Sequence, residues 1–364
     1  MVKLRVSLDE NGKPFRSEQP VFFRIPGEDG GYAAEAPSEF FLAHGGSILV
    51  MSNGYSVYTV NVADGYIYPV LFPGDRITYF DYEEVSSTVT LAFTKETERE
   101  DGSIGYSTWM SFYRLRENGS LDFIRKVESE NFPEELALME GSSVALSVNA
   151  ETRVPEFGFF IGRNGSVCQV DLRGSEQKAD GVVDVLGTVP ELAVGESEVV
   201  SGREVSYNRA KRLLTVVKRG VRWDIRRPTM VRTGRPGRIR RPTMGRLHEP
   251  PAVVVIQLNK KNRIVDVRAM ADEFTEKEGL SNLMVNGDEG ILVAQTGEMY
   301  VLDFTDIDIL QPRIIGNAGL RVDYIGRGVG PVSFVGVSSS QPGGGEGAES
   351  EVGALVLVKI RDAN

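Results

Sequence analysis

Along most of the chain, apolar and polar residues alternate in short runs broken by Gly, Asn, Asp and Pro. That period of two is the sequence form of half-buried β-strands. The clearest case is Ser111–Val127, in which two alternating runs flank Glu117-Asn118-Gly119. Asn-Gly favours a two-stranded hairpin because both residues tolerate φ > 0. The design recurs as Tyr55–Val62 and Tyr66–Phe72 around Ala63-Asp64-Gly65, and as Ala252–Leu258 and Arg263–Met270 around Lys260-Lys261-Asn262. Ser166–Leu172 followed by Val182–Val189 repeats it less cleanly.

Taken in order, the strands group into repeated units, the second of which starts about forty residues after the first, the spacing of four-stranded blades. The first is Phe40–Ala43, Ser47–Ser52, Tyr55–Val62 and Tyr66–Phe72; the second is Ile77–Tyr82, Thr88–Thr94, Thr108–Leu115 and Ser120–Val127. A third runs Ser143–Val148, Phe157–Gly162, Ser166–Leu172 and Val182–Val189. The fourth, Glu204–Tyr207, Leu213–Val217, Ala252–Leu258 and Arg263–Met270, is interrupted between its second and third strands. The fifth is Gly279–Val285, Gly290–Ala294, Glu298–Phe304 and Gln311–Ile315, and the sixth has three strands, Leu320–Ile325, Val332–Val337 and Ala354–Ile360. An orphan strand, Val2–Leu8, is expected to complete that last unit, because a closed ring must hide its sheet edges. Residues 13–37, with Val21–Ile25, offer a further partial unit. Helical patterns are confined to Ala271–Gly279 and residues 128–140.

The spacing and the closing hairpins resemble a β-propeller of the broad kind that includes WD40 repeats. The resemblance implies an all-β fold: six to seven blades of four antiparallel strands, closed by pairing of the N- and C-terminal strands, with residues 1–364 as a single domain. No Trp-Asp closes a unit, no Gly-His opens one, and kelch glycines and aspartate boxes are absent. The resemblance therefore implies architecture and supplies no function.

Charge changes the picture more than composition does. The chain has a net charge of −10, yet Lys218–Arg246 holds eleven of its 41 Lys and Arg residues and one acid, Asp224. That window carries +10 and the remainder of the chain −20. The 218–250 insertion and the Gly/Glu-rich stretch 341–353 contain too little apolar surface to offset ordering entropy, so both are expected as disordered loops. One cysteine excludes an intramolecular disulfide framework and suits a reducing compartment. The first residues lack the apolar run of a secretory signal, and no run approaches a membrane span. The expected location is intracellular, cytoplasmic or nuclear, with no membrane partner.

The sharpest candidate site is the arginine-rich arm, with Arg222, Arg226, Arg227, Arg232, Arg235, Arg238, Arg240, Arg241 and Arg246. Arginine makes bidentate phosphate contacts, and a basic segment of this kind tracks the backbone of RNA or DNA; an acidic protein surface would attract it too. A solvated insertion with no role is the plain alternative. Arg-Arg-Pro-Thr-Met occurs at 226–230 and again at 240–244, so Thr229 and Thr243 are candidate phosphoacceptors. Catalysis finds little support. His44 and His248 are the only histidines, there is no Gly-x-Ser-x-Gly, and Cys168 sits in an alternating strand as a core thiol. Asp303, Asp306 and Asp308, and Asn286–Glu289, lack the spacing of a calcium loop, and no phosphate loop is present, so no metal or cofactor is expected. Taken together, these features lead to a non-enzymatic scaffold for protein–protein interaction in a multi-subunit, RNA-containing assembly such as ribosome biogenesis or RNA processing. A propeller enzyme or small-ligand binder using the central channel, or a kelch-like substrate adaptor, are the alternatives.

Overall fold

In the computed structural model, the described residues are 2–3, 6–8, 14–16, 21–22, 39–68, 71, 73–98, 104–128, 136–138, 142–173, 183–194, 203–218, 221–226, 244–249, 251–270, 274, 280, 284–286, 289–294, 296–306, 310–317, 324–327, 334–338 and 354–358. At 2–22, 221–249 and 324–358 the description is of the backbone.

Two short ladders open the chain. Strand β1 (Val2–Lys3) pairs with β4 (Val21–Phe22), and β2 (Val6–Leu8) pairs with β3 (Pro14–Arg16). The β-propeller arrangement follows as a series of antiparallel meanders. The first blade has three strands, β5 (Glu39–Ala43), β6 (Ile48–Ser52) and β7 (Val57–Asn61). The second has four: β8 (Tyr79–Glu83), β9 (Thr88–Glu98), β10 (Ile104–Leu115) and β11 (Leu121–Val127). The third comprises β12 (Ala145–Val148), β13 (Pro155–Ile161), β14 (Ser166–Asp171) and β15 (Val183–Thr188). In the fourth, β16 (Arg203–Asn208) and β17 (Leu213–Lys218) are followed by a separate ribbon, β18 (Val221–Arg226) with β19 (Met244–Glu249), before β20 (Ala252–Leu258) and β21 (Ile264–Met270) complete the sheet. The fifth is β22 (Met284–Asn286), β23 (Glu289–Val293), β24 (Glu298–Asp303) and β25 (Pro312–Asn317). A further three-stranded sheet, described in backbone, is formed by β26 (Tyr324–Arg327), β27 (Phe334–Ser338) and β28 (Ala354–Val358).

The expectation of six to seven four-stranded blades is thereby corrected to five blades of three to four strands, followed by that backbone sheet. In the first blade, the described residues of Tyr66–Phe72 make isolated bridges, Val57↔Leu71 and Val60↔Ile67, in place of the expected fourth strand. Pro69 and Pro73 remove ladder donors there, which explains the loss. Closure through the chain ends is a second correction. Among the described residues β1 pairs with β4, and β28 pairs only with β27. Closing a loop of some twenty residues costs about 2–3 kcal/mol less entropy than closing one that spans the whole chain, so the local partner wins. The helix expected over Ala271–Gly279, and that over 128–140, fall mostly outside the described residues.

The chain divides into two compact units, Met1–Phe93 with Ser111–Ile124, and Thr94–Met110 with Arg125–Asn364. In the first unit, Met51, Tyr58 and Val60 form a small core with Leu49 and Ile67 against it. The Asn118-Gly119 turn packs there as well. Thr59 Oγ1 donates to the Gly119 carbonyl at 2.6 Å. Gly119 has φ 80°, and a Cβ on it would come within 2.2 Å of the Tyr68 ring.

In the second unit, the period of two sorts residues of one strand between two cores. From β17, Leu213 and Val217 enter one cluster with Phe274, Leu292 and Leu302, while Leu214 and Val216 enter another with Phe159, Val167 and Leu192. From β20, Val253 and Val255 go to the first cluster and Val254, Ile256 and Leu258 to the second. A sheet covered on both faces needs an unbroken apolar run, which is why Val253-Val254-Val255-Ile256 shows no alternation. Arg203, with 0% exposure, starts β16 inside this core; its Nε donates to the Leu192 carbonyl at 3.2 Å. Among the described residues, no helix is long and apolar enough to cross a membrane.

Candidate functional site

The basic arm leaves the fourth blade at its Lys218↔Ala252 rung. The β17–β20 ladder runs without a register break from Leu213↔Gln257 to that rung. Strands β18 and β19 pair from Val221↔Glu249 to Arg226↔Met244, so the expected loop begins as a ribbon. This places Arg222 opposite His248 and Asp224 opposite Arg246 in the ladder. Arg227, Arg232, Arg235, Arg238, Arg240 and Arg241, with Thr229 and Thr243, lie outside the described residues, as does 341–353. An antiparallel pair accepts a long connection at small entropic cost, which is why the insertion leaves the blade's ladder intact.

A second charged feature lies at the other end of the same blade. The turns Asn208–Leu213 and Asn259–Arg263 meet residues of the third blade around a cavity of about 360 Å³. Glu156 and Phe157 come from β13, Gln169 and Asp171 from β14, Asp184 from β15 and Tyr207 from β16. Five cations enter it, Arg173, Arg209, Arg212, Lys260 and Lys261, against three carboxylates, Glu156, Asp171 and Asp184. The excess is two positive charges.

Two of the cations are already engaged. Arg173 grips Asp171 through Nε at 3.0 Å and a terminal nitrogen at 2.7 Å, and its guanidinium lies 4.3 Å from the Phe157 ring centroid. Burial works against ionisation of Asp171, but the hydrogen bonds and charge of Arg173 outweigh it and hold the carboxyl below the usual range. Arg209 pairs with Glu156 at 2.9 Å, and Asn149 donates to the other oxygen of that carboxylate at 2.9 Å.

The Lys-Lys turn is held from both sides. Asn259 Oδ1 accepts from the backbone N–H of Lys261 at 2.8 Å and of Arg263 at 3.1 Å. Asn262, at φ 54°, donates its side-chain amide to Gln169 Oε1 at 2.6 Å across the two blades. Arg212, at φ 55°, donates to the Asn259 carbonyl at 3.3 Å. Burial raises the Tyr207 hydroxyl's pKa, although Arg212 and Arg209 pull it down. The ammonium groups of Lys260 and Lys261 make no hydrogen bond or ion pair among the described residues.

Along the sequence Lys260-Lys261-Asn262 is a hairpin turn, and the cleft does not show. Its residues are drawn from two blades, and no spacing announces that Arg173 and Lys260 share a cavity. The one local signal was two adjacent lysines in a tight turn.

The other candidates stand apart from this cluster. His44 sits in the turn after β5 at φ 50°, with a buried Nε2 that lacks a hydrogen-bond partner, and His248 lies in β19. Asp303 caps the backbone of Thr305 at 2.8 Å, while Asp308 is outside the described residues. Among the described residues, no three His, Cys, Asp or Glu side chains gather as a metal site. Cys168 has 0% exposure, and burial pushes its thiol up to about 12. At about pH 8 the thiolate fraction is then on the order of 10⁻⁴. A thiol reagent should leave the native chain unmodified and label its single cysteine once the chain is denatured. Labelling of the native chain at the rate of a free thiol would contradict this burial.

No family model matches the chain, and no curated protein matches it. Among solved structures, Sqt1 from Chaetomium thermophilum is similar at 12% identity over 94% of this chain and 75% of that one, with a TM-score of 0.48. The Cps50 (Swd1) β-propeller domain from Myceliophteria thermophila is similar at 11% identity over 84% and 80%, also at 0.48. Hydrazine synthase from Kuenenia stuttgartiensis is similar at 10% identity over 79% and 70%, at 0.45. Likenesses this remote pass no activity or partner to this chain. Its own meander sheets carry the assignment: the chain has the blade arrangement of a β-propeller.

Proposed function

We propose that this protein is a non-enzymatic propeller scaffold of an intracellular, RNA-containing assembly, binding other subunits through its body and nucleic acid through its arm. One observation carries the reading. A segment with +10 net charge hangs from one end of an unbroken β17–β20 ladder, on a chain that is otherwise strongly acidic. Separating the signs in this way suits a body that docks and an arm that tethers to polyphosphate. Phosphate on Thr229 or Thr243 would remove about 1.5–2 charges each and weaken the tether.

Binding of single-stranded RNA by the full chain and by a 219–250 deletion, measured across a salt series, tests the arm. If about six arginines contact phosphates, log K should fall against log salt with a slope near −4, roughly −0.7 for each contact. The deletion should lose that slope. Equal weak binding by both proteins would remove nucleic acid from the reading, whereas capture of an acidic protein by the intact chain alone would move the arm to a protein partner.

A further inference from the structure

We propose that the cleft between the third and fourth blades binds a phosphomonoester, at a site separate from the arm and independent of its function. The charge balance matches that ligand. Asp171 and Glu156 are committed to Arg173 and Arg209, which leaves Asp184 as the one further carboxylate of the lining to balance Arg212, Lys260 and Lys261. The surplus of two positive charges is what a phosphomonoester, at about −1.5 to −2 near neutral pH, would neutralise.

Preorganisation supports the same assignment. The Lys-Lys turn is tied through Asn259 within its own blade and through Asn262 to Gln169 of the neighbouring one, so the backbone that carries the two cations is fixed before a ligand arrives. Gln169, 7% exposed, spends its carbonyl oxygen on Asn262 and leaves its NH₂ group for a ligand oxygen. Phe157, covered by Arg173, gives the wall a stacked flat surface. A cavity of about 360 Å³ admits a phosphate with a small organic group and excludes a folded domain.

The site is separate from the arm by register. The cleft turns join the Leu213↔Gln257 end of the β17–β20 ladder, and the arm leaves from the Lys218↔Ala252 end. Five residue steps at about 3.4 Å place the two features roughly 17 Å apart along the strand.

Calorimetric titration of the full chain with inorganic phosphate and with phenyl phosphate tests the proposal, alongside a phosphate diester of similar size. Saturable binding of one monoester per chain is expected, with the singly charged diester weaker. Tighter binding of phenyl phosphate would assign an organic ester; equal binding would assign free phosphate. Lys260→Ala with Lys261→Ala should weaken the monoester by about tenfold or more. The 219–250 deletion should bind as the full chain does, whether or not the arm binds RNA. Both lysines are exposed, so the double variant should melt with the parent; if it does not, Lys260→Gln alone serves, with a smaller loss expected. Absence of saturation with the full chain, or undiminished binding by the lysine variants, would overturn the site.

Discussion

Phe159→Ala is expected to lower the stability of the second unit by about 3–5 kcal/mol. Phe159 has 0% exposure and lies in the core shared by the third and fourth blades, beside Ile161, Val205 and Val254. Its ring centroid stands 4.7 Å from that of Tyr207, with the planes tilted by 44°, so the substitution removes an aromatic pair as well as apolar volume. Neighbours on β13 and β14 are fixed by their ladders and collapse only partly into the space. Urea unfolding should show a lower midpoint with an unchanged slope. Phe159→Leu, which keeps most of the volume, should lose about half as much. A loss below about 1 kcal/mol for the alanine variant would mean that the two blades do not share the core described. Because Tyr207 also lines the cleft, the variant should weaken ligand binding there while leaving the arm's behaviour unchanged.

Gly165→Ala is the second large effect, expected at about 3 kcal/mol from two causes that add. Gly165 has φ 80°, where a side chain is strained, and a Cβ there would sit 2.5 Å from the Val189 carbonyl oxygen and 2.7 Å from the Ala193 nitrogen. Both atoms are backbone, and Val189 N–H donates to the Gly165 carbonyl at 2.9 Å, so neither can withdraw cheaply. Gly54 is the internal control. Its φ is 85°, yet nothing lies within 4 Å of its added Cβ, so Gly54→Ala should cost only the conformational part, about 1 kcal/mol. Equal losses at the two positions would show that crowding at Gly165 contributes nothing.

Strand positions were legible because each is a local pattern. The apolar run Ala252–Leu258 coincides with its strand to the residue, and most other strands of the third to fifth blades match their patterns to within a residue or two. The errors share a cause. Tyr66–Phe72 alternates like a strand, but Pro69 within it and Pro73 after it cannot supply ladder hydrogen bonds. Val2–Leu8 reads as one strand and splits into two, since a partner's identity is not encoded in the strand that seeks it. The basic arm was visible as a charge anomaly, and its paired flanks were not, because Val221–Arg226 and Met244–Glu249 lack a short turn between them.

The antiparallel meanders, the break in the fourth repeat and the positive charge that this break concentrates on an acidic chain can all be read along the sequence. Each follows from neighbours along the chain: alternation, turn residues and charge runs. The number of strands in each blade, the local pairing of the N-terminal strand, and the meeting of Arg173, Arg212 and Lys260 in one cleft emerge with the folded chain. Those are relations between segments far apart in sequence, set by which sheet faces bury each other and which turns the burial brings together. Lys260 and Lys261 make the distinction plain: along the chain they are a hairpin turn, and beside the third blade they become half of a binding site.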